Sequence, residues 1–306
     1  MPAATVWIPA RTRPEQLAFL PDGVEVREVP ATGVVSDPPQ HAELLISGFD
    51  VKRTIEILPQ LADLRVVQTL SAGVDTLVEH IPPGVVLCDA AGVHDASVSE
   101  WVVMATLAMR RRLPECVLSQ RDATWRGTGG GADLEGARVL ILGYGSIGRA
   151  LEKRLERFGA GVVRVARRAR DGVHGVDELP GLLPDADVVV ILLPLTVETR
   201  GMVDAGFLAT MRPGSLLVNA ARGPIVDTDA LLAALGSEHL RCALDVTDPE
   251  PLPDGHPLWS APGVLITPHI GGAVERLFER AWRFAGEQVR RYLNGEPLLN
   301  VVSNGY

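Results

Sequence analysis

A chain of 306 residues, 46% of them hydrophobic, is long enough for one large domain or two medium ones. A formal net charge of −9 makes nucleic acid and anionic membrane poor partners, while anionic small molecules stay open wherever a site is locally basic. Three widely spaced cysteines, Cys88, Cys116 and Cys242, with no CxxC pair, speak against a disulfide framework or a metal site and for a reducing cytoplasm.

In chain order, Met1-Pro2-Ala3-Ala4 carries no basic region followed by an apolar run, so no secretory leader is expected. The first third offers strand-like runs at residues 5–8, 24–29, 44–47, 65–70 and 85–88. Ser97 and Ser99 can cap a long helix over residues 97–112, stopped by Pro114. Residues 124–132, rich in glycine, read as a loop. A second series follows: a strand at 138–142, a helix at 146–158, and strands at 162–166, 188–193, 215–219, 242–246 and 264–267. A last helix over 273–292 could return the chain to the first domain. The longest apolar stretches, 101–109 and 188–195, fall far short of the ~20 residues of a spanning helix. Strands alternating with helices argue for an α/β fold with parallel sheets.

Gly143-Tyr144-Gly145-Ser146-Ile147-Gly148 matches G-x-G-x-x-G between an apolar strand and an amphipathic helix carrying Ile147, Leu151, Leu155 and Phe158 at helical spacing. Gly143 permits the tight turn, Gly145 lets the backbone approach a pyrophosphate, and Gly148 lets helix and strand pack closely. Ser146 and Ile147 open the helix whose N-terminus faces the anion. The tip of the next strand selects the dinucleotide. A carboxylate there would hold the ribose 2′-hydroxyl of NAD, but the chain reads Arg167-Arg168-Ala169-Arg170. Guanidiniums suit a 2′-phosphate, which favours NADP. The alternative is a solvated basic loop with Asp171 on the ribose, which keeps NAD open.

Three later segments place polar residues at or just past strand ends, where open α/β sheets bind ligands. They are Asn219-Ala220-Ala221-Arg222-Gly223, Asp245-Val246-Thr247-Asp248-Pro249-Glu250, and Thr267-Pro268-His269-Ile270-Gly271. Reducing a 2-oxo acid needs a hydride donor, a proton donor and a cation for the carboxylate and carbonyl. Arg222 has the forked, permanent charge for the last task. His269 can exchange a proton near neutrality, and Glu250 beside it would hold the ring in place. Taken singly, each has a plain alternative: a surface salt bridge, a capped turn, a charge in a proline-rich loop.

In these segments the chain resembles the D-isomer-specific 2-hydroxyacid dehydrogenases over nearly its whole length. The resemblance implies two Rossmann-like or flavodoxin-like domains, the nucleotide domain (97–272) inserted into a substrate domain made of 1–96 and 273–306. It makes Arg222 the substrate-binding arginine, Glu250 and His269 the acid–base pair, and Asp245 the aspartate at the nicotinamide end. Ala220, His269 and Gly271 fall with Asp245 on the cofactor side. Gln68-Thr69-Leu70-Ser71-Ala72-Gly73-Val74-Asp75 resembles the loop whose N–H groups, those of Ala72 and Gly73, hold the substrate carboxylate. Leu193-Pro194-Leu195-Thr196 resembles the loop beside the adenosine, which brings in Pro194. The helix from Ser97 implies a homodimer.

The departures from the family pattern are informative. Arg167 and Arg168 stand where many NAD-dependent relatives carry Asp, which leans toward a glyoxylate or hydroxypyruvate reductase using NADP. Val93-His94-Asp95 replaces a valine followed by Asn-Thr. The chain ends at Tyr306 without the regulatory domain of some phosphoglycerate dehydrogenases, and the retained Glu250 argues against a formate dehydrogenase. Two rivals remain: a dinucleotide-sensing regulator like the family's corepressors, and a phosphite dehydrogenase, which would favour NAD.

Overall fold

The structure, a computed structural model, describes residues 4–35, 40–127 and 129–302. The first three residues, read above for a leader, Thr128 of the glycine-rich loop and the terminal Tyr306 lie outside them. The chain divides into two compact units, Met1–His94 with Glu275–Tyr306, and Asp95–Val274.

The first unit opens with β1 (Ala4–Ile8), α1 (Pro14–Leu17), β2 (Val24–Glu28), β3 (Gln40–His41) and β4 (Leu44–Ser47). It continues through α2 (Val51–Ile57), β5 (Leu61–Ala62), β6 (Val66–Thr69) and β7 (Val86–Cys88). Five strands form a parallel sheet in the order β2-β1-β4-β6-β7, and β3 pairs only with β5. With that short pair set aside the order is the flavodoxin-like 2-1-3-4-5. Side chains alternate between the two faces, as the pleat requires. Val6, Ile8, Leu44, Ile46 and Val66 face one core, while Trp7, Leu45, Val67 and Leu87 face another.

The second unit runs α3 (Asp95–Arg110), α4 (Leu113–Arg121), β8 (Arg138–Leu142), α5 (Ser146–Leu155), β9 (Gly161–Ala166) and β10 (His174–Gly175). Then come α6 (Leu179–Leu182), β11 (Val188–Ile191), α7 (Ala205–Thr210), β12 (Leu216–Asn219), α8 (Thr228–Gly236), β13 (Arg241–Leu244) and β14 (Val264–Ile266). All seven strands are parallel, ordered β10-β9-β8-β11-β12-β13-β14. The first six reproduce the doubly wound order 3-2-1-4-5-6 of dinucleotide-binding folds. Its central strands are buried on both faces, which is why they read as unbroken apolar runs. Finally α9 (Leu277–Leu293) returns to the first unit, laying Leu277, Ala281, Trp282, Ala285 and Val289 on the sheet.

Several local expectations need correction. Ser97 and Ser99 do not cap α3. The helix begins two residues before Ser97, and the Ser99 hydroxyl donates back to the carbonyls of Asp95 and Ala96 at 2.5 and 3.0 Å. Pro114 does not stop that helix. It sits in the first turn of α4, where its missing N–H costs nothing, and the break is made by Arg112 at φ 55°. Phe158 lies beyond the end of α5 and is 42% exposed. The last helix starts at Leu277 and not at 273, the chain turning through Glu275 and Arg276 before it. Among the described residues no helix is long and apolar enough to cross a membrane, and no group of three His, Cys, Asp or Glu side chains could hold a metal ion.

Candidate dinucleotide and catalytic site

At the end of β8 the chain turns through Gly143 at φ 105°, a conformation that residues with a side chain rarely adopt. A Cβ there would stand 2.5 Å from the carbonyl carbon of Leu192, so this turn and the one after β11 touch. The contact marks the point where the strand order reverses, the usual crevice for a ligand. Gly145 is the N-cap of α5 and offers no side-chain cap, so the first amides of the helix, among them those of Ser146 and Ile147, face an anion-binding position. A Cβ on Gly148 would lie 3.1 Å from the Gly143 carbonyl oxygen, which shows how closely helix and turn pack.

A polar network that the motif does not announce holds this turn from below. Tyr144 donates its hydroxyl to Glu152, whose carboxylate also takes Arg164 Nε at 2.6 Å, and the Arg164 guanidinium lies 5.7 Å from the Tyr144 ring centre. Burial opposes ionisation of Glu152, yet Arg164 and Tyr144 outweigh it and hold the carboxyl below its usual range. At the tip of β9, Arg167 and Arg168 are exposed. Arg167 pairs with Glu198 at 3.3 Å, and Arg170 donates to the Tyr144 carbonyl at 2.8 Å, tying the basic tip to the glycine turn. Pro194 is exposed beyond β11, its carbonyl accepting the Thr199 hydroxyl at 2.7 Å, and the Ala220 N–H reaches the Ile191 carbonyl at 3.3 Å.

The loops after β12, β13 and β14 are joined to one another. Asn219, the last residue of β12, accepts the Ala221 N–H at 3.0 Å and donates to the Arg222 carbonyl at 3.0 Å, which shapes the turn carrying Arg222. Arg222 is half-buried and donates Nη1 to the Ala221 carbonyl at 2.7 Å. Next to it, a Cβ on Gly223 would stand 1.8 Å from the Thr247 carbonyl oxygen, so this turn rests on the chain leading to Glu250. Glu250 Oε1 meets His269 Nδ1 at 2.6 Å, with the two side chains 39% and 50% exposed.

Asp245 sits just past β13 and is 5% exposed. Its carboxylate accepts from Thr267 Oγ1 at 2.6 Å, Ile270 N at 2.9 Å and Gly271 N at 2.7 Å, while its carbonyl accepts the His269 N–H at 2.8 Å. One buried acid thus organises the whole His269 loop, including His269 itself at φ 54°. Sequence reasoning missed this, although an Asp and a Thr standing at the ends of neighbouring strands were the available signal. Ala72 and Gly73 belong to the first unit, in a half-buried turn after β6 where Thr69 Oγ1 donates to the Ser71 carbonyl at 2.6 Å.

Comparisons with known proteins identify the family. The sequence profile described as "D-isomer specific 2-hydroxyacid dehydrogenase, NAD binding domain" matches residues 103–271. The D-3-phosphoglycerate dehydrogenase of Mycobacterium tuberculosis is 34% identical over 319 aligned positions, covering 100% of this chain but 60% of that protein, so the chain spans about three fifths of that relative's length. The glyoxylate reductase of Thermofilum pendens is 32% identical, covering 85% of this chain and 83% of its own. A crystal structure of a D-isomer specific 2-hydroxyacid dehydrogenase from Xanthobacter autotrophicus Py2, in complex with NADPH and MES, superposes with a TM-score of 0.84 at 33% identity, covering 98% of this chain and 99% of that one. With the doubly wound sheet, the glycine turn and a profile match over more than half its length, this chain belongs to the D-isomer specific 2-hydroxyacid dehydrogenases.

Proposed function

We propose that the protein is an NAD(P)-dependent oxidoreductase that interconverts a small 2-oxo acid and its D-2-hydroxy acid, with NADP preferred. The observation that carries this reading is the 2.6 Å contact of Glu250 with His269 Nδ1, made at the carboxyl ends of the strands beside the Arg222 turn. The glycine turn, the uncapped start of α5 and the arginines after β9 fit a dinucleotide. The bound cofactor supplies the hydride. Arg222 takes the substrate carboxylate and polarises the carbonyl. With Nδ1 engaged by Glu250, His269 has Nε2 left to give a proton to the carbonyl oxygen. The N–H groups of Ala72 and Gly73 are assigned to the carboxylate, and Ala220, Asp245, Gly271 and Pro194 to the cofactor, on the resemblance.

The test is a spectrophotometric screen of NADPH and NADH oxidation against glyoxylate, hydroxypyruvate, pyruvate and longer 2-oxo acids. Turnover of glyoxylate or hydroxypyruvate is the expected result. Tight NADPH binding without turnover of any of them would favour a dinucleotide-sensing regulator instead. Cofactor choice has its own measurement, kcat/KM with each dinucleotide. Changing Arg167 and Arg168 together to Ala should lower the NADPH value at least tenfold and leave the NADH value nearly unchanged, because each charge-assisted contact is worth about 1.5–3 kcal/mol. A wild-type protein that prefers NADH and ignores the double change would overturn the NADP assignment.

The same reading makes the protein a cytoplasmic homodimer. All three cysteines are free, and burial, with Asp89 adding to it, pushes the Cys88 thiol up to about 11. Along α3 and α4 a groove of about 640 Å³ is lined by Val103, Met104, Leu107, Ala108, Leu113 and Phe158. Met104, Leu113, Val117 and Leu118 on these helices are 48–53% exposed, an apolar surface of the kind that docks a second protomer. Light scattering at micromolar protein should give about twice the 32.7 kDa of one chain, and a monomer would refute the assignment.

A further inference from the structure

A second polar cluster stands at the amino-terminal end of β13, opposite the end that leads to Asp245. Arg110 ends α3, Arg112 precedes α4 and Arg241 opens β13. Together with Glu115 and the backbone of Gly130, Gly131 and Ala132 they line a cavity of about 320 Å³. Two of the three guanidiniums are fixed by main-chain carbonyls. Arg110 donates Nε to the Asp133 carbonyl at 3.0 Å and Nη2 to the same oxygen, and Arg241 donates Nη1 to the Met109 carbonyl at 2.6 Å. Among the described residues only Arg112 pairs with a carboxylate, Glu115, at 3.0 Å. A carbonyl positions a guanidinium without cancelling its charge, and each guanidinium has five donors. The cavity therefore gathers three permanent positive charges against one negative, with most of their N–H groups unspent on these contacts. Burial first, with Arg112 and Arg110 adding to it and Glu115 opposing, holds Arg241 below the usual arginine range.

We propose that this cavity binds a tetrahedral oxyanion, a phosphate group either free or on a small phosphorylated molecule. Such a ligand would supply the missing negative charge and take forked hydrogen bonds from several arginines at once. It would also tie the end of α3 to the start of β13. The four residues of β13 place it about 13 Å along the strand from Asp245, so the two ligand positions are separate.

The test is thermal unfolding of the full chain in inorganic phosphate, in glycerol 2-phosphate and in chloride of equal ionic strength. A site of about millimolar affinity raises Tm by about 3–5 °C at 10 mM ligand. A rise with inorganic phosphate alone assigns the free ion, and a rise with both assigns the phosphate group of a larger molecule. Arg112→Gln, whose side chain is 40% exposed, and Arg241→Gln should each abolish most of the rise, while Arg167→Ala with Arg168→Ala should keep it. In chloride, Arg112→Gln should melt no lower than wild type, because repulsion among the arginines is relieved. A wild-type protein with no phosphate-specific rise, as when a carboxylate of a second copy fills the cavity, overturns the proposal. So does a rise that survives Arg112→Gln, or an Arg112→Gln protein that melts lower in chloride.

Discussion

Replacing His269 by Ala should lower kcat for 2-oxo acid reduction by about 10²–10⁴-fold while leaving dinucleotide affinity nearly intact, the usual loss for a positioned proton donor. The reasoning is geometric. The imidazole is held at Nδ1 by Glu250 at 2.6 Å, and its backbone N–H is held by the Asp245 carbonyl at 2.8 Å, so both ring and main chain are fixed before substrate arrives. Glu250→Gln keeps a hydrogen-bonding group but loses the charge, so its kcat should fall between wild type and His269→Ala. Arg222→Ala should differ in kind. It removes carboxylate binding in the ground state as well, so KM rises along with the loss in kcat. The measurement is steady-state kinetics on whichever 2-oxo acid the screen selects, with NADPH binding followed by fluorescence. A His269→Ala protein with near-wild-type kcat would place the proton donor elsewhere.

Gly223→Ala should be nearly as damaging, although it touches neither cofactor nor proton. The added Cβ would lie 1.8 Å from the Thr247 carbonyl oxygen and 2.8 Å from the Asp248 nitrogen. Both are backbone atoms, so relief requires moving either the Arg222 turn or the run that leads to Glu250. Overpacking of this kind costs about 1–3 kcal/mol, which lowers Tm by roughly 3–10 °C in a unit of this size. A misplacement of about 1 Å costs on the order of 10²-fold in rate. Gly236→Ala, at the end of α8 with nothing within 4 Å of its Cβ, is the matched control and should be neutral. Equal melting and equal kcat for the two variants would show that the Arg222 and Glu250 loops move independently.

The parts of this molecule that could be read from the sequence are those specified by neighbours in the chain. Gly143, Gly145 and Gly148 announce the turn because a strand, three glycines and a helix follow one another within a dozen residues. Apolar runs such as Val188–Ile191 announce buried parallel strands for the same reason. Arg222, Glu250 and His269 stood out as polar residues at strand ends. What stayed hidden depends on atoms brought together from afar. The Asp245 carboxylate reaches donors more than twenty residues away, and Arg164 crosses to Glu152 from the next strand. Arg241 meets Arg110 and Arg112 only because β13 starts where α3 ends. Pro114 misled because a proline ends one helix or begins the next with equal ease, and only the backbone at Arg112 decides which.

The division of the chain into two units has an evolutionary corollary. Arg222, Glu250 and His269 stand on strand-end loops of one unit, Asp95–Val274, and the stitching by Asn219, Gly223 and Asp245 is complete within it. Under the proposed assignment, the machinery for moving a hydride and a proton is inherited as a block. The first unit, with its own sheet and its own cores, can drift without loosening that block. Substitutions in that first unit leave the hydrogen bonds of Asn219 and Asp245 untouched, so its sequence is free to vary while the second unit keeps its arrangement.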